Sequence, residues 1–210
     1  QILKDHLETH YNDGKADRYD VYSSKQGPTM FKPGLAFVSG VPPEKTRLVP
    51  IDVGGGFGLR SGSFPEHVVL MYAAKALGKP IKWVGSRSEN FVTDPHGRAI
   101  VIEGELAMDR DGKFLAIRTN WLADQGAYLT APGPLINTAN GMLTLSGVYN
   151  IPVGYGRHRL MLTNTTPTGP YRGAGRPDMA YICERLVDQA ALEMKMDRAE
   201  IRRRNFIPKD

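Results

Sequence analysis

Apolar and polar residues alternate in several short stretches of this chain, and a period of two is typical of β-strands. The alternation predicts strands at 18–23, 47–51, 81–84, 99–108, 114–122 and 156–163. The fourth and fifth of these are separated by Asp109-Arg110-Asp111-Gly112, and Asp-Gly favours the tight turn between antiparallel strands. The sequence therefore predicts a β-hairpin in the middle of the chain.

Other stretches carry apolar residues at the spacing of one helical face. A short helix is predicted at 30–38, and a second helix begins with Ser63 as its N-cap and ends at Gly78. A long helix follows at about 178–195, and Asp197 with Glu200 forms a capping box for a last one. Because helices and strands alternate irregularly around a hairpin, the predicted class is α+β, with mixed sheets and packed helices. The segment 126–147 has few charges and no clear period.

The composition is that of an ordinary globular protein, with 41% hydrophobic and 23% charged residues among 210. This length allows one sizeable domain or two small ones, with a possible sub-boundary near the hairpin at 95–130. The net charge is +5, but acidic and basic residues are interleaved and no aromatic residues accompany the basic ones, so no nucleic-acid partner is expected. No apolar run reaches membrane-spanning length, and a cytoplasmic location is expected.

Two glycine-rich loops each precede a predicted helix. The first, Asp52–Gly62, reads D-V-G-G-G-F-G-L-R-S-G, and the second, Thr168–Pro177, reads T-G-P-Y-R-G-A-G-R-P. Backbone N–H groups before a helix and the guanidinium groups of Arg172 and Arg176 suit an anion, so the loops predict one shared anionic ligand. Glycine richness alone is equally consistent with tight turns that pack helix against strand.

The first loop does not complete either of two phosphate-binding motifs. A Walker A loop would end in Gly-Lys-Ser/Thr, whereas this loop continues with Arg60-Ser61-Gly62. A dinucleotide-binding fingerprint fails at Leu59 and lacks the acidic residue about twenty positions further on. A non-enzymatic nucleotide- or anion-binding module that retains the glycine loops remains the alternative function.

A series of short motifs along the whole chain is more specific than either loop. The chain contains, in this order, V-G-G-G-F-G, K-P-I-K-W with R-S-E-N, L-A-I-R-T-N-W-L-A-D-Q-G-A-Y, P-Y-R-G-A-G-R-P, and E-R-L-V-D-Q-A-A with I-R-R-R-N. This order resembles the large subunit of the molybdenum hydroxylases, a family that includes xanthine dehydrogenase, aldehyde oxidoreductase and the aerobic carbon monoxide dehydrogenase large chain. The resemblance covers nearly all of this chain, but only a minority of a family large subunit.

The resemblance implies a molybdenum ion held through molybdopterin, in the cytosine dinucleotide form, with no metal ligand from this chain. The implied cofactor-binding residues are Gln26, Gly55, Gly56, Phe57, Gly58, Arg172 and Gly173. Gln26 is also the implied catalytic residue, because the family places a glutamine thirty-one residues before the phenylalanine that corresponds to Phe57. The family motif there is Ser-Thr-Gln, whereas this chain has Ser24-Lys25-Gln26. Without that spacing, a glutamine before Gly-Pro would indicate only a turn.

Departures from the family pattern bear on the substrate. The substrate-pocket residues that the resemblance implies are Ser61, Asn140 and Ala174, at positions where the purine-hydroxylating members carry a glutamate, an arginine and a phenylalanine. Gly173 stands where the carbon monoxide enzymes carry a copper-binding cysteine. These differences disfavour a purine and carbon monoxide, and leave an aldehyde or an N-heteroaromatic compound as the expected substrate.

The resemblance also implies that the site is incomplete in this chain. Family members hydroxylate with oxygen from water, and their glutamate base lies in a G-x-G-E-type motif that this chain lacks. Electrons leave through iron–sulfur clusters, and often FAD, on partner subunits or domains. We therefore expect residues 1–210 to be a fragment or split subunit of the molybdopterin-binding domain, inactive alone. The expected partners are the remaining domain polypeptide, an iron–sulfur subunit and a flavin subunit.

Overall fold

The computed structural model describes residues 7–12 and 17–209. The chain divides into two compact units, Gln1–Pro95 and His96–Asp210. The division falls at the beginning of the range in which the sequence suggested a sub-boundary.

The first unit contains a mixed sheet and helices in its described part. Its elements are β1 (Leu7–Asn12), β2 (Arg18–Ser23), α1 (Pro28–Ser39), β3 (Thr46–Pro50), α2 (Pro65–Leu77), β4 (Ile81–Trp83) and α3 (Arg87–Thr93). The strand order is β3-β2-β1-β4, in which β2 and β3 are parallel and the other pairs antiparallel. Apolar residues of β2, α1 and α2 form the core, including Val21, Phe31, Leu35 and Met71.

The second unit is built around the predicted hairpin. Its elements are β5 (Ile100–Met108), β6 (Phe114–Gly126), α4 (Gly133–Ile136), α5 (Ala139–Met142), β7 (Val153–Leu162), α6 (Arg176–Glu193) and α7 (Arg198–Asn205). Strand β6 lies between antiparallel β5 and parallel β7. Helix α6 packs closely on this sheet: a Cβ on Gly104 would lie 2.9 Å from Ile182 Cγ1.

The α+β class is confirmed, and the elements that were predicted are corrected only at their ends. The N-cap of α2 is Phe64 rather than Ser63, because the His67 ring accepts a hydrogen bond from the Phe64 N–H at 3.1 Å. Asp197 caps α7 as predicted, but Glu200 pairs with Arg204 at 2.8 Å instead of closing a capping box. No helix in the described part of the chain is both long and apolar enough to cross a membrane.

Strand β6 runs four residues beyond its predicted end. Its pairing with β7 continues as far as Gly126, which lies opposite Leu162. The last residues of β6 pair with β7, which is distant in sequence. The alternation of apolar and polar residues in β6 therefore does not show where the strand ends. Cys183 lies in the core of the unit, where burial raises the pKa of its thiol to about 11.

Candidate functional site

Three consecutive residues after β2 hold the first glycine loop. The Arg60 guanidinium donates to the carbonyl oxygen of Ser24 at 3.3 Å and also contacts the Ser24 hydroxyl. The Lys25 ammonium donates to the carbonyl oxygen of Gly62 at 2.6 Å, and the Gln26 N–H donates to that of Arg60 at 3.2 Å. The loop is thus fixed against the segment that carries the predicted catalytic residue.

Lys25 is the departure from the family motif, and its surroundings accommodate a buried cation. Its ammonium lies 4.8 Å from the ring centroid of Phe31 and 4.2 Å from that of Phe64. Aromatic faces attract cations, and a buried ammonium needs such contacts together with a hydrogen-bond acceptor. Lys25 therefore connects the loop to the core of the first unit.

The side chain of Gln26 lies directly on the loop. The Gly58 N–H donates to Gln26 Oε1 at 3.4 Å. A Cβ on Gly56 would lie 2.4 Å from the same oxygen and 2.9 Å from the Cβ of Gln26. Only a residue without a Cβ leaves room for Gln26 here. The structure brings Gln26, Gly56 and Gly58, three predicted site residues, together in the first unit.

Phe57 stands at the centre of the loop in an unusual backbone conformation. Its φ is 46°, and its neighbours Gly55 and Gly58 have φ values of 111° and 93°. A Cβ on Gly55 would lie 2.4 Å from the Phe57 ring, which is 38% exposed. A left-handed conformation at a bulky residue is strained and is concentrated at functional sites. These glycines therefore serve to present the Phe57 ring at the surface.

Ser61 closes the short 3₁₀ turn Leu59–Ser61 that follows the loop. Its hydroxyl donates to the carbonyl oxygen of Gly58 at 2.6 Å, and the residue is exposed. The predicted substrate-pocket residue therefore lies at the end of the glycine loop, and its only hydroxyl proton is engaged there.

In the second unit, the chain that leads to the second loop is anchored at Asp124. Its carboxylate accepts hydrogen bonds from the Gly126 N–H and from the hydroxyls of Thr163 and Thr165, each at 2.7 Å. Partial burial raises the pKa of Asp124, but these three hydrogen bonds outweigh burial and hold the pKa below its usual range. The Thr168 hydroxyl also donates to the Asp124 carbonyl oxygen at 2.7 Å.

This carboxylate predicts an acid-sensitive element of stability. Its folded-state pKa is depressed, so its contribution is complete above the unfolded-state value of about 3.9 and is lost as the pH falls through the lower folded-state value. We expect Asp124→Asn to flatten the fall of the thermal midpoint below about pH 4. The measurement is calorimetry from pH 2 to 7, with Asp111→Asn at the exposed hairpin tip as control. Equal acid profiles for the two variants would contradict this role.

The second loop makes its tightest turn at three successive left-handed residues. Gly173, Ala174 and Gly175 have φ values of 96°, 47° and 90°, and the Ala174 N–H donates to the carbonyl oxygen of Tyr171 at 2.7 Å. A Cβ on Gly173 would lie 2.4 Å from Pro177 Cγ. The turn leads directly into α6, and this backbone leaves no space for a side chain at Gly173.

The other predicted residues of this unit lie around that turn. A Cβ on Gly175 would lie 2.1 Å from the carbonyl oxygen of Ile136 and 3.5 Å from the Gly141 nitrogen. Ala174 therefore adjoins the segment that carries Asn140, its predicted companion in the substrate pocket. Arg172 is exposed, and its side chain makes no hydrogen bond or ion pair with any residue that the structure describes.

Sequence reasoning missed three residues that hold these loops: Lys25, Arg60 and Arg98. Lys25 attracted attention only as a departure from Ser-Thr-Gln, and no motif marks Arg98, which donates to the carbonyl oxygen of Arg172 at 2.5 Å. A positive φ of 67° at Arg98 has no signal in sequence. Within the described ranges, no group of three or more His, Cys, Asp or Glu side chains could hold a metal ion.

Residues 6–206 match the family model described as the molybdopterin cofactor-binding domain. The chain belongs to this family. The resemblance to molybdenum hydroxylase large subunits is confirmed, because the match spans nearly the whole chain and both glycine loops lie inside it.

Relatives of this molybdopterin-binding chain are much longer than the chain itself. It is 39% identical over 191 residues to the carbon monoxide dehydrogenase large chain of Hydrogenophaga pseudoflava, covering 90% of this chain and 24% of that one. It is 33% identical over 193 residues to the nicotine 6-hydroxylase large subunit of Paenarthrobacter nicotinovorans, covering 91% and 24%. The quinoline 2-oxidoreductase structure from Pseudomonas putida 86 superposes with a TM-score of 0.91 at 30% identity, covering 98% and 26%. The chain thus spans about a quarter of these relatives.

Proposed function

We propose that this chain forms part of the cofactor site of a molybdenum-dependent hydroxylase that oxidises an aldehyde or an N-heteroaromatic substrate with oxygen from water. The observation that carries the proposal is the contact of Gln26 with Gly56 and Gly58, beside the exposed Phe57 ring. The spacing of thirty-one residues between Gln26 and Phe57 suggested that Gln26 and this loop belong to one site. A loop that served only as a tight packing turn would not need Gln26 beside it.

The residues present fit a molybdenum pterin in two respects. The loop Gly54–Gly58 carries no charged side chain, and its backbone can be approached closely wherever no Cβ stands in the way. In the second unit, Arg172 offers an exposed guanidinium, the group best suited to phosphate and oxo oxygens. When bound, the molybdenum pterin supplies the two-electron oxidation chemistry, and the protein supplies binding and orientation.

The roles of the chain's own residues follow from their contacts. Gln26 accepts from the Gly58 N–H through Oε1, which leaves its Nε2 protons available as donors at the loop surface. The Phe57 ring lies over the backbone of Gly55. Arg172 would neutralise negative charge on the phosphate or oxo oxygens of the bound cofactor. The proton acceptor for the reaction is proposed to come from the remaining domain polypeptide, so that this chain is inactive alone.

Three observations support the proposed substrate class. Nicotine and quinoline, named for two of the relatives, are N-heteroaromatic compounds. Gly173 has no thiol to bind copper, and a Cβ there would lie 2.4 Å from Pro177 Cγ, which argues against the copper-dependent carbon monoxide chemistry of members that carry a cysteine at this position. The Ser61 hydroxyl is engaged with Gly58, and Ala174 presents only a methyl group, so neither anchors a purine.

The proposal includes partners and a cofactor form. Two relatives are named as a large chain and a large subunit, which supports an assembly with smaller subunits. That these subunits carry iron–sulfur clusters and FAD remains a prediction. The cytosine dinucleotide form of the pterin, the cytoplasmic location and the sharing of one ligand by the two glycine loops remain predictions.

The test is molybdenum per chain, measured by elemental mass spectrometry on the complex isolated gently from its native cells. We expect about one metal ion per chain and substrate-dependent dye reduction with aldehydes or N-heterocycles. The purified single chain is expected to reduce no dye. An intact complex without molybdenum would overturn the proposal and favour the anion-binding module.

A further inference from the structure

We propose that Arg98 is a positioning residue that fixes the Tyr171–Gly175 turn and thereby the direction in which Arg172 points. The inference rests on the proposed function for the role of Arg172, but the contacts of Arg98 stand independently of it. All the groups involved belong to the second unit.

The Arg98 guanidinium makes three contacts with the turn and with the helix that follows it. Nη2 donates to the carbonyl oxygen of Arg172 at 2.5 Å, and the guanidinium carbon lies 4.5 Å from the ring centroid of Tyr171. Nε lies 3.9 Å from Asp178 Oδ1 in the first turn of α6. The Arg98 guanidinium thus contacts the backbone of Arg172 and the ring of Tyr171. It also approaches Asp178 in α6.

The backbone before Arg98 runs along the same loop. The His96 N–H donates to the carbonyl oxygen of Pro167 at 3.1 Å, and the Gly169 N–H donates to that of His96 at 2.8 Å. A Cβ on Gly97 would lie 3.0 Å from the Cβ of Tyr171. This segment therefore forms one wall of the second loop, and Arg98 lies two residues before β5 begins at Ile100.

Arg98 holds this position in a strained conformation. Its φ of 67° is left-handed, a region that disfavours arginine. Strain at a residue that a surrounding structure over-determines is a reason to infer function. Burial raises the pKa of Asp178, while the Arg98 guanidinium acts in the opposite direction. Since the 3.9 Å separation is long for an ion pair, the hydrogen bond to Arg172 and the stacking on Tyr171 carry the positioning.

The test separates loop order from stability. In Arg98→Gly the backbone strain is relieved as the contacts are lost, so the thermal midpoint is expected to change by less than about 3 °C. Hydrogen exchange of the Ala174 and Arg176 amides, whose acceptors lie within the turn, is expected to accelerate about tenfold. The control is Arg118→Met, which removes an exposed ion pair with Glu105 on the sheet of the same unit.

Arg98→Lys distinguishes positioning from charge. A lysine retains the charge beside Asp178 but lacks the planar guanidinium that stacks and donates at once. Hydrogen exchange in the turn is therefore expected to be as fast as in Arg98→Gly. This variant also decides the matter if Arg98→Gly fails to fold. Exchange rates in Arg98→Lys equal to those of the unmodified chain would overturn the inference.

The exchange measurement uses the full chain without cofactor and does not depend on the proposed function. In the isolated complex, Arg98→Gly is expected to lower molybdenum retention at least fivefold, and Arg118→Met to leave it unchanged. A native complex that never contains molybdenum would refute the function while leaving the exchange result valid. If the native complex contains molybdenum, and Arg98→Gly changes neither hydrogen exchange nor molybdenum retention, the role of Arg98 is refuted and the proposed function is not.

Discussion

Gly56→Ala is expected to reduce turnover of the intact complex by about a hundredfold, because a misplacement of about 1 Å at a reacting centre has an effect of this order. The new Cβ would lie 2.4 Å from Gln26 Oε1, 2.9 Å from Gln26 Cβ and 3.1 Å from Gln26 Cδ. Rotation of the terminal amide relieves only the first contact, so the whole side chain has to move. Steady-state dye reduction with the best substrate measures the effect.

Gly62→Ala is the matched control for this substitution. Gly62 is the last residue of the same loop, with a φ of −106°, and a Cβ there meets no atom within 4 Å. It is expected to retain most of the turnover. If the two variants lose activity equally, the loop is sensitive to any added side chain, and the placement of Gln26 is not what matters. Molybdenum content measured on both variants separates loss of cofactor from loss of alignment.

The sequence predicted most elements of the fold for local reasons. The Asp111-Gly112 turn, the strands beside it and the glycine at the end of α2 each follow from residues within a few positions. Four elements escaped prediction: β1, α3, and the short helices α4 and α5 in the segment 126–147, which has no clear period. Strand β1 lies between β2, its neighbour in sequence, and β4, which is about seventy residues away, whereas α3 carried a visible signal, the Ser86 and Glu89 capping box.

The candidate site was predictable in composition but not in its supports. The glycine loops and the thirty-one-residue spacing pointed to Gln26, Gly56 and Gly58, which are in contact. Nothing in the sequence indicated that Arg60 and Lys25 hold the loop to the end of β2. Such contacts join residues about thirty-five positions apart and depend on how the strand and loop pack. Local sequence patterns therefore identify the residues of the candidate site. The residues that support the site are determined by tertiary packing, which local patterns do not show.

Gly175→Ala is expected to destabilise the second unit by about 3 kcal/mol, the largest change in stability predicted for this chain. A left-handed φ of 90° disfavours any residue with a Cβ, at a cost of about 1 kcal/mol. The rest comes from collision, because the new Cβ would lie 2.1 Å from the carbonyl oxygen of Ile136. That oxygen belongs to the backbone, so relief requires the turn to separate from the segment that carries Asn140.

Gly147→Ala isolates the collision from the conformational cost. Gly147 lies in the same unit with a φ of 56°, and a Cβ there meets no atom within 4 Å, so only about 1 kcal/mol is expected. Urea unfolding of both variants gives the difference, with about 2 kcal/mol assigned to contact between the turn and Ile136. Equal losses would mean that the turn and this segment are not tightly packed. A larger loss in Gly175→Ala, with altered substrate preference in the complex, would tie this packing to the pocket that Asn140 and Ala174 are proposed to share.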